Sequence, residues 1–269
     1  NIGFIYAISL GSGKLIWLKN HGIPLKSKIK VFDNKIFIVN QDNRLLCLDI
    51  DKGSKIWDVR STQSFIKSQN FLGLAISKTG DVIALNSAGD LVKVKASNGS
   101  VYWSLNTTGS MYANVSDFFK SSDVVIADDD IILSTSTSTL SLNMSNGYPN
   151  WERDISSTNS PIIDGNNIFL VSDNGYFVNL DRYSGKTIWS VNLLKTLKRK
   201  KQKTLITGFI LGSGKIYATT LNGYLIVCSA ISGNIEYFKK IGDTITASPI
   251  VSNGSLYILT DKSRILGFN

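Results

Sequence analysis

The stretch GKTIW (residues 185–189) sets the reading of this chain, because it keeps returning. GKLIW (13–17), GSKIW (53–57), GSVYW (99–103) and GYPNW (147–151) all read Gly-x-x-x-Trp, and GNIEY (233–237) keeps the spacing with Tyr in the aromatic place. All five tryptophans of the protein fall at this one position, which chance would not arrange. The glycines, from Gly13 through Gly53, Gly99, Gly147 and Gly185 to Gly233, stand 40, 46, 48, 38 and 48 residues apart. A period of about 40 to 50 residues is the size of one four-stranded propeller blade.

Working outward from the signature, each period reads as an apolar strand, a turn, a second apolar strand, another turn, a third strand, and then the Gly-x-x-x-Trp strand. The turns carry Asn, Asp and Gly, as in DNK (33–35), KTGD (78–81), DGNN (164–167) and SNGS (252–255), residues that tolerate the positive φ of tight hairpins. Helical periodicity is nearly absent. Short strands at this spacing predict an all-β protein, and the long period selects the propeller over a sandwich or barrel. The third-strand pattern occurs seven times, beginning at Gly3, Arg44, Asp90, Thr139, Tyr176, Tyr224 and Arg264, whereas the first two strands occur six times. The expectation is therefore a single β-propeller domain over 1–269, with incomplete N-terminal blades, from a protein of seven or eight blades.

Geometry gives the signature a structural role. A large aromatic on the outer strand fills the wedge that opens between neighbouring blades, and the glycine makes the turn before that strand. For a residue that recurs in every repeat, packing outweighs ligand binding by roughly ten to one.

Composition narrows the function classes. The 29 Lys and Arg against 20 Asp and Glu leave a net charge of +9, with one dense cluster, KTLKRKKQK (195–203). An anionic partner and a compositional bias of the source genome both account for this charge. No run approaches the ~18 apolar residues of a membrane span, and the N-terminal stretch NIGFIYAISL lacks the features of a signal peptide. The chain as given is expected to be soluble, and its localisation is not read directly from these residues. Cys47 and Cys228 lie on apolar strands of distant repeats and are expected to be buried free thiols. With His21 the only histidine and no CxxC, no zinc site is expected. His21 itself reads as a surface loop residue without a nucleophile motif beside it. The run DDD (128–130) reads as solvated hairpin acids rather than a metal cluster, and the two GSGK pieces (11–14 and 212–215) as turns rather than phosphate loops.

The repeat unit resembles that of the pyrroloquinoline-quinone-type propellers, and AISLGSGKLIW (7–17) follows it almost fully, while Lys93, Ser141 and Asn179 stand where Ala is usual. Quinone dehydrogenases and non-catalytic scaffolds share this unit, so it speaks for fold and not for chemistry. From residue 117 to the C-terminus, runs such as NSPIIDGNNIFLVSDNGYFVNLDRYSGKTIW, GYLIVCSAISGN and TASPIVSNGSLYIL resemble the BamB family of outer-membrane assembly lipoproteins. That resemblance implies a non-catalytic scaffold without cofactor, on the periplasmic side of the outer membrane, held there by an N-terminal lipid anchor that this chain does not contain. It implies protein partners, a BamA-like assembly factor and nascent barrel proteins, and no nucleic acid. In the family two interblade loops carry the BamA contact. They fall here on QSFIKSQN (63–70), where Ile66 and Lys67 match an aliphatic-basic pair, and on NVSDFF (114–119), where Val115, Ser116 and Asp117 match and Phe119 replaces an acid. A quinoprotein-type dehydrogenase fragment and a ligand-binding module of a larger surface protein stand as alternatives. The first would need adjacent cysteines for a vicinal disulfide, and the sequence has none.

Overall fold

Asn and Gly at the hairpin corners let each period fold back on itself. Asp33 and Asn34 adopt φ of 47° and 54°, and Gly165 and Gly254 adopt 55° and 77°, the left-handed values a two-residue corner requires. The computed structural model describes residues 3–61, 71–108, 120–196 and 204–268. The chain divides into two units, Asn1–Asn150 and Trp151–Asn269.

In the first unit β1 (Phe4–Ile8) pairs with β2 (Leu15–Asn20). A four-stranded meander follows, made of β3 (Lys30–Phe32), β4 (Lys35–Val39), β5 (Arg44–Asp49) and β6 (Lys55–Arg60). The next is β7 (Leu74–Ile76), β8 (Asp81–Leu85), β9 (Asp90–Lys95) and β10 (Val101–Asn106). The third is β11 (Val125–Ala127), β12 (Asp130–Ser134), β13 (Thr139–Asn143) and β14 (Pro149–Arg153), within which the boundary between the units falls. The second unit holds β15 (Ile162–Asp164), β16 (Asn167–Val171), β17 (Tyr176–Asp181) and β18 (Thr187–Asn192). It continues with β19 (Ile206–Gly212), β20 (Lys215–Thr220), β21 (Tyr224–Ser229) and β22 (Ile235–Lys240), and then the three-stranded β23 (Ile250–Ser252), β24 (Ser255–Leu259) and β25 (Ile265–Phe268). The seven third strands read from sequence are β1, β5, β9, β13, β17, β21 and β25. The described residues also hold a short 3-10 turn, Leu193–Thr196, which the repeat pattern does not predict.

All strand pairs are antiparallel, with register fixed by the hairpins: Lys35 faces Asp49 and Val39 faces Leu45. The second and third strands of the four-stranded meanders are covered on both faces. In β4 the run Ile36 to Val39 is buried throughout, and in β8 Val82 to Leu85 likewise. This is why these strands read as continuous apolar runs rather than alternating ones. The outer strands, such as β2, are largely exposed.

The signature joins one meander to the next. The indole N–H of Trp17 donates to the Ile50 carbonyl at 2.9 Å, that of Trp57 to Ala96 at 3.2 Å, and that of Trp103 to Met144 at 3.1 Å. In the second unit Trp151 donates to Arg182 at 2.7 Å. Each ring also lies on the signature glycine of the following repeat. A Cβ at Gly53 would come 2.6 Å from the Trp17 ring, and one at Gly185 would come 2.6 Å from Trp151. The glycine is thus required twice: for its positive φ, 63° at Gly53 and 65° at Gly185, and because its bare face is the seat of the preceding tryptophan. Trp189 sits on Gly233 in the same way, 2.7 Å from a Cβ placed there, and packs at 5.2 Å from the Phe177 ring, but its indole N–H is enclosed without a partner among the described residues.

Candidate protein-interaction site

Ile66 and Lys67 on one loop, and Val115, Ser116 and Asp117 on the other, lie outside the described residues, as do 197–203 of the basic cluster. What the structure gives is the ground on which both loops of the first unit stand. The loop 62–70 joins β6 to β7, and the loop 109–119 joins β10 to β11.

Their departing ends meet at one turn, Asn86-Ser87-Ala88-Gly89, between β8 and β9. The Asn86 amide holds that turn rigid from within: its Oδ1 accepts the N–H groups of Ala88 and Asp90 at 2.8 and 2.9 Å. Its Nδ2 donates to the Ser61 hydroxyl at 2.8 Å, just before the first loop. At the other corner of the same turn the Gly89 carbonyl accepts both the N–H and the hydroxyl of Thr107 at 2.8 Å, just before the second loop. Asn106 adds bonds to the Ala88 carbonyl and to Asp90. Below Ser61 and Asn86, between Val39, Leu45, Val59 and Val92, a void of about 10 Å³ remains, room for no more than a water molecule.

The returning ends meet as well. Leu72 donates to the Lys26 carbonyl, and the Asp123 carboxylate accepts the N–H groups of Leu74 at 3.2 Å and Val124 at 3.1 Å while facing Lys28 Nζ at 3.0 Å. Gly73 permits this contact, since a Cβ there would come 2.7 Å from the Val124 side chain. Phe71, at the edge of the first loop, leaves 67% of its surface exposed. An exposed aromatic side chain is of the kind enriched in protein interfaces.

The remaining sequence candidates are structural. Cys47 and Cys228 are buried free thiols, as the sequence predicts, and burial pushes each up to about 12. At such values neither is a nucleophile at neutral pH. His21 corrects the expectation of a surface residue: it lies in the loop after β2 but is half-buried, with Nε2 enclosed, and burial lowers its pKa. The imidazole bonds to the backbone of Gly53, while the main-chain N–H of His21 donates to the Gly3 carbonyl. Asp128 sits at a hairpin corner with φ of 50°, and Asp130 accepts a bond from Asn150. Among the described residues no three His, Cys, Asp or Glu side chains gather as a metal site. In the second unit the basic cluster begins on the 3-10 turn, which Asn192 caps through the N–H groups of Leu194 and Lys195.

The profile of the family described as outer membrane protein assembly factor BamB matches residues 3–191 and 180–269, which is nearly the whole chain. The chain belongs to the BamB family. The BamB of Shewanella oneidensis is 24% identical over 269 residues, covering 95% of this chain and 64% of that protein. The BamB of Yersinia pestis is 21% identical over 268 residues, covering 98% and 66%. The chain thus spans about two thirds of the length of these curated relatives. Among solved structures, BamB from Moraxella catarrhalis superposes with a TM-score of 0.82 over 99% of this chain and 78% of that one, at 15% identity. The likeness at so low an identity shows the fold: a β-propeller of the BamB kind, with PQQ-like repeats, as the signature predicts.

Proposed function

We propose that this chain is a non-catalytic scaffold of outer-membrane protein assembly, acting on the periplasmic side of that membrane and docking a BamA-like partner through the loops 62–70 and 109–119. Family membership supplies the process. The observation that carries the site is the convergence of both loop bases on the turn 86–89, with their returning ends joined through Asp123. Two loops founded on common ground present their side chains to one partner surface, so that Ile66 contributes apolar burial while Lys67 and Asp117 set orientation. As a scaffold the protein needs no cofactor, and neither thiol is a nucleophile at neutral pH.

The test is charge reversal on both loops, Lys67→Glu with Asp117→Lys, read by pulldown of the partner's periplasmic domains. Weaker capture at an unchanged melting temperature is the expected result. Full capture by the folded double variant removes the partner-binding assignment and leaves the fold untouched.

A further inference from the structure

His21 is the only histidine of the chain, and histidine is the side chain whose ordinary titration falls between pH 5 and 8. It stands where two sheets of the first unit meet. Its main-chain N–H donates to the Gly3 carbonyl at 2.9 Å, at the start of the ribbon β1–β2, and its imidazole bonds to the backbone of Gly53, in the turn between β5 and β6. Gly53 is also the seat of Trp17, and a Cβ placed there would come 2.8 Å from Lys19 Cγ as well. The imidazole, the indole and the lysine stem thus converge on one turn of the neighbouring meander. Trp17 adds its bond to the Ile50 carbonyl, and Ile5 of the ribbon packs with Ile36, Ile38, Leu46 and Leu48.

The surroundings of the imidazole favour its neutral form. Nε2 is enclosed and has no hydrogen-bond partner among the described residues, so the bond to Gly53 is left to Nδ1. A proton added at Nε2 creates a second N–H with no acceptor, and enclosing an unpaired charged donor is costly. The charged groups set against the ring oppose that proton too: Lys19 comes from β2 and Lys55 from β6. β1 carries no charged side chain. The acids of β5 and β6 are engaged elsewhere, Asp58 with Lys55 and Arg44, and Asp49 with the N–H groups of Asp51 and Lys52, whose own side chains are exposed. Burial first, and then the two lysines, lower the imidazole pKa from 6.5 against the opposing pull of the Gly53 bond.

We propose that His21 is a pH-sensitive latch between the ribbon β1–β2 and the meander β3–β6, closed while the ring is neutral and loosened when acid protonates it. The stability that the neutral ring contributes is complete above pH 6.5 and is lost as pH falls through the lower value of the folded state. Loosening lifts Trp17 from Gly53 and uncovers the apolar side chains of β4 and β5 beneath the ribbon. The latch stands apart from the loops assigned to partner binding and does not rest on them.

A single imidazole makes the test direct. NMR titration of the His21 ring in the whole chain is expected to give a pKa below 6.5. Residue-resolved amide exchange, corrected for the intrinsic effect of pH, is expected to quicken about threefold to tenfold at His21 and along β1–β2 between pH 7.5 and 5, while β8 and β9 keep their rates; tenfold corresponds to one unit of pKa. His21→Asn keeps a donor for Gly53 and does not titrate, so its ribbon is expected to exchange equally at both pH values. A ring pKa at or above 6.5 overturns the proposal, as does ribbon exchange that ignores pH or quickens only in step with β8 and β9. Equal quickening in His21→Asn and the unaltered chain overturns it as well. Should His21→Asn not fold, the titration and the exchange of the unaltered chain decide alone.

Discussion

Trp151 and Trp189 occupy the same place in the repeat and differ by one hydrogen bond. Trp151 donates to the Arg182 carbonyl, whereas the Trp189 indole N–H is enclosed and unpaired among the described residues. Phenylalanine keeps most of the ring contact and removes the N–H, so Trp151→Phe is expected to cost about 1 kcal/mol more than Trp189→Phe, because only in the first is a carbonyl left without its donor. Urea denaturation of the two variants checks this, and equal losses would contradict it. Removing the whole ring is a larger change: Trp189→Ala is expected to cost about 3–5 kcal/mol, and a loss below about 1 kcal/mol would show that the ring fills no wedge. The thiols give a second residue-scale expectation. Burial raises the pKa of Cys47 and Cys228 to about 12, so folding favours the neutral thiol, a contribution present below the ordinary value and lost as pH climbs toward 12. At pH 8 the native protein should leave Ellman's reagent unreacted, and denaturant should release two thiols per chain; rapid native reaction would refute the burial. The sequence showed the tryptophans as wedges, yet not that each wedge rests on the next repeat's glycine. The common period contained that relation, but only the three-dimensional stacking says which glycine meets which ring.

At the scale of strands and turns the sequence was informative wherever backbone geometry restricts residue choice. The corners at Asp33, Gly80, Gly165 and Asn253 all carry positive φ, the constraint by which they were recognised. It was uninformative where any residue serves: the 3-10 turn Leu193–Thr196 has no pattern of its own and depends on the Asn192 cap. For the candidate site, the sequence located two loops but not their shared foundation, because Ser61, Asn86 and Thr107 are ordinary loop residues until the strands bring them together. Glycines separate these cases by experiment. Gly165 has φ of 55° and open space around it, whereas Gly185 has φ of 65° and the Trp151 ring against it. Gly165→Ala meets backbone strain of about 1–2 kcal/mol alone, and Gly185→Ala adds displacement of the indole, so its melting temperature should fall clearly further. Equal shifts would mean that the ring moves aside freely.

For the whole molecule, charge is the property the fold does not explain. With a net charge of +9 the native state repels itself, and added salt screens that repulsion. Ion pairs such as Lys55 with Asp58 and Lys215 with Glu236 are partly exposed and contribute little each. The melting temperature is therefore expected to rise by a few degrees between about 0.02 and 0.3 M NaCl; a fall would mean that the ion pairs outweigh the repulsion. The division into two units inside β14 was not legible, since the Gly-x-x-x-Trp repeat runs through it unbroken. The seating of each tryptophan on the glycine of the following repeat bears on how such a chain can be lengthened or shortened. The interchangeable module runs from glycine to glycine, cutting through the sheets rather than between them. Excising residues 53–98 would join Lys52 to Gly99, giving β3–β5 a new outer strand in β10 and setting Gly99 beneath Trp17 in place of Gly53. A gene that gains or loses one period at these glycines leaves each tryptophan a glycine to rest on, because each Trp-bearing copy of the repeat carries both.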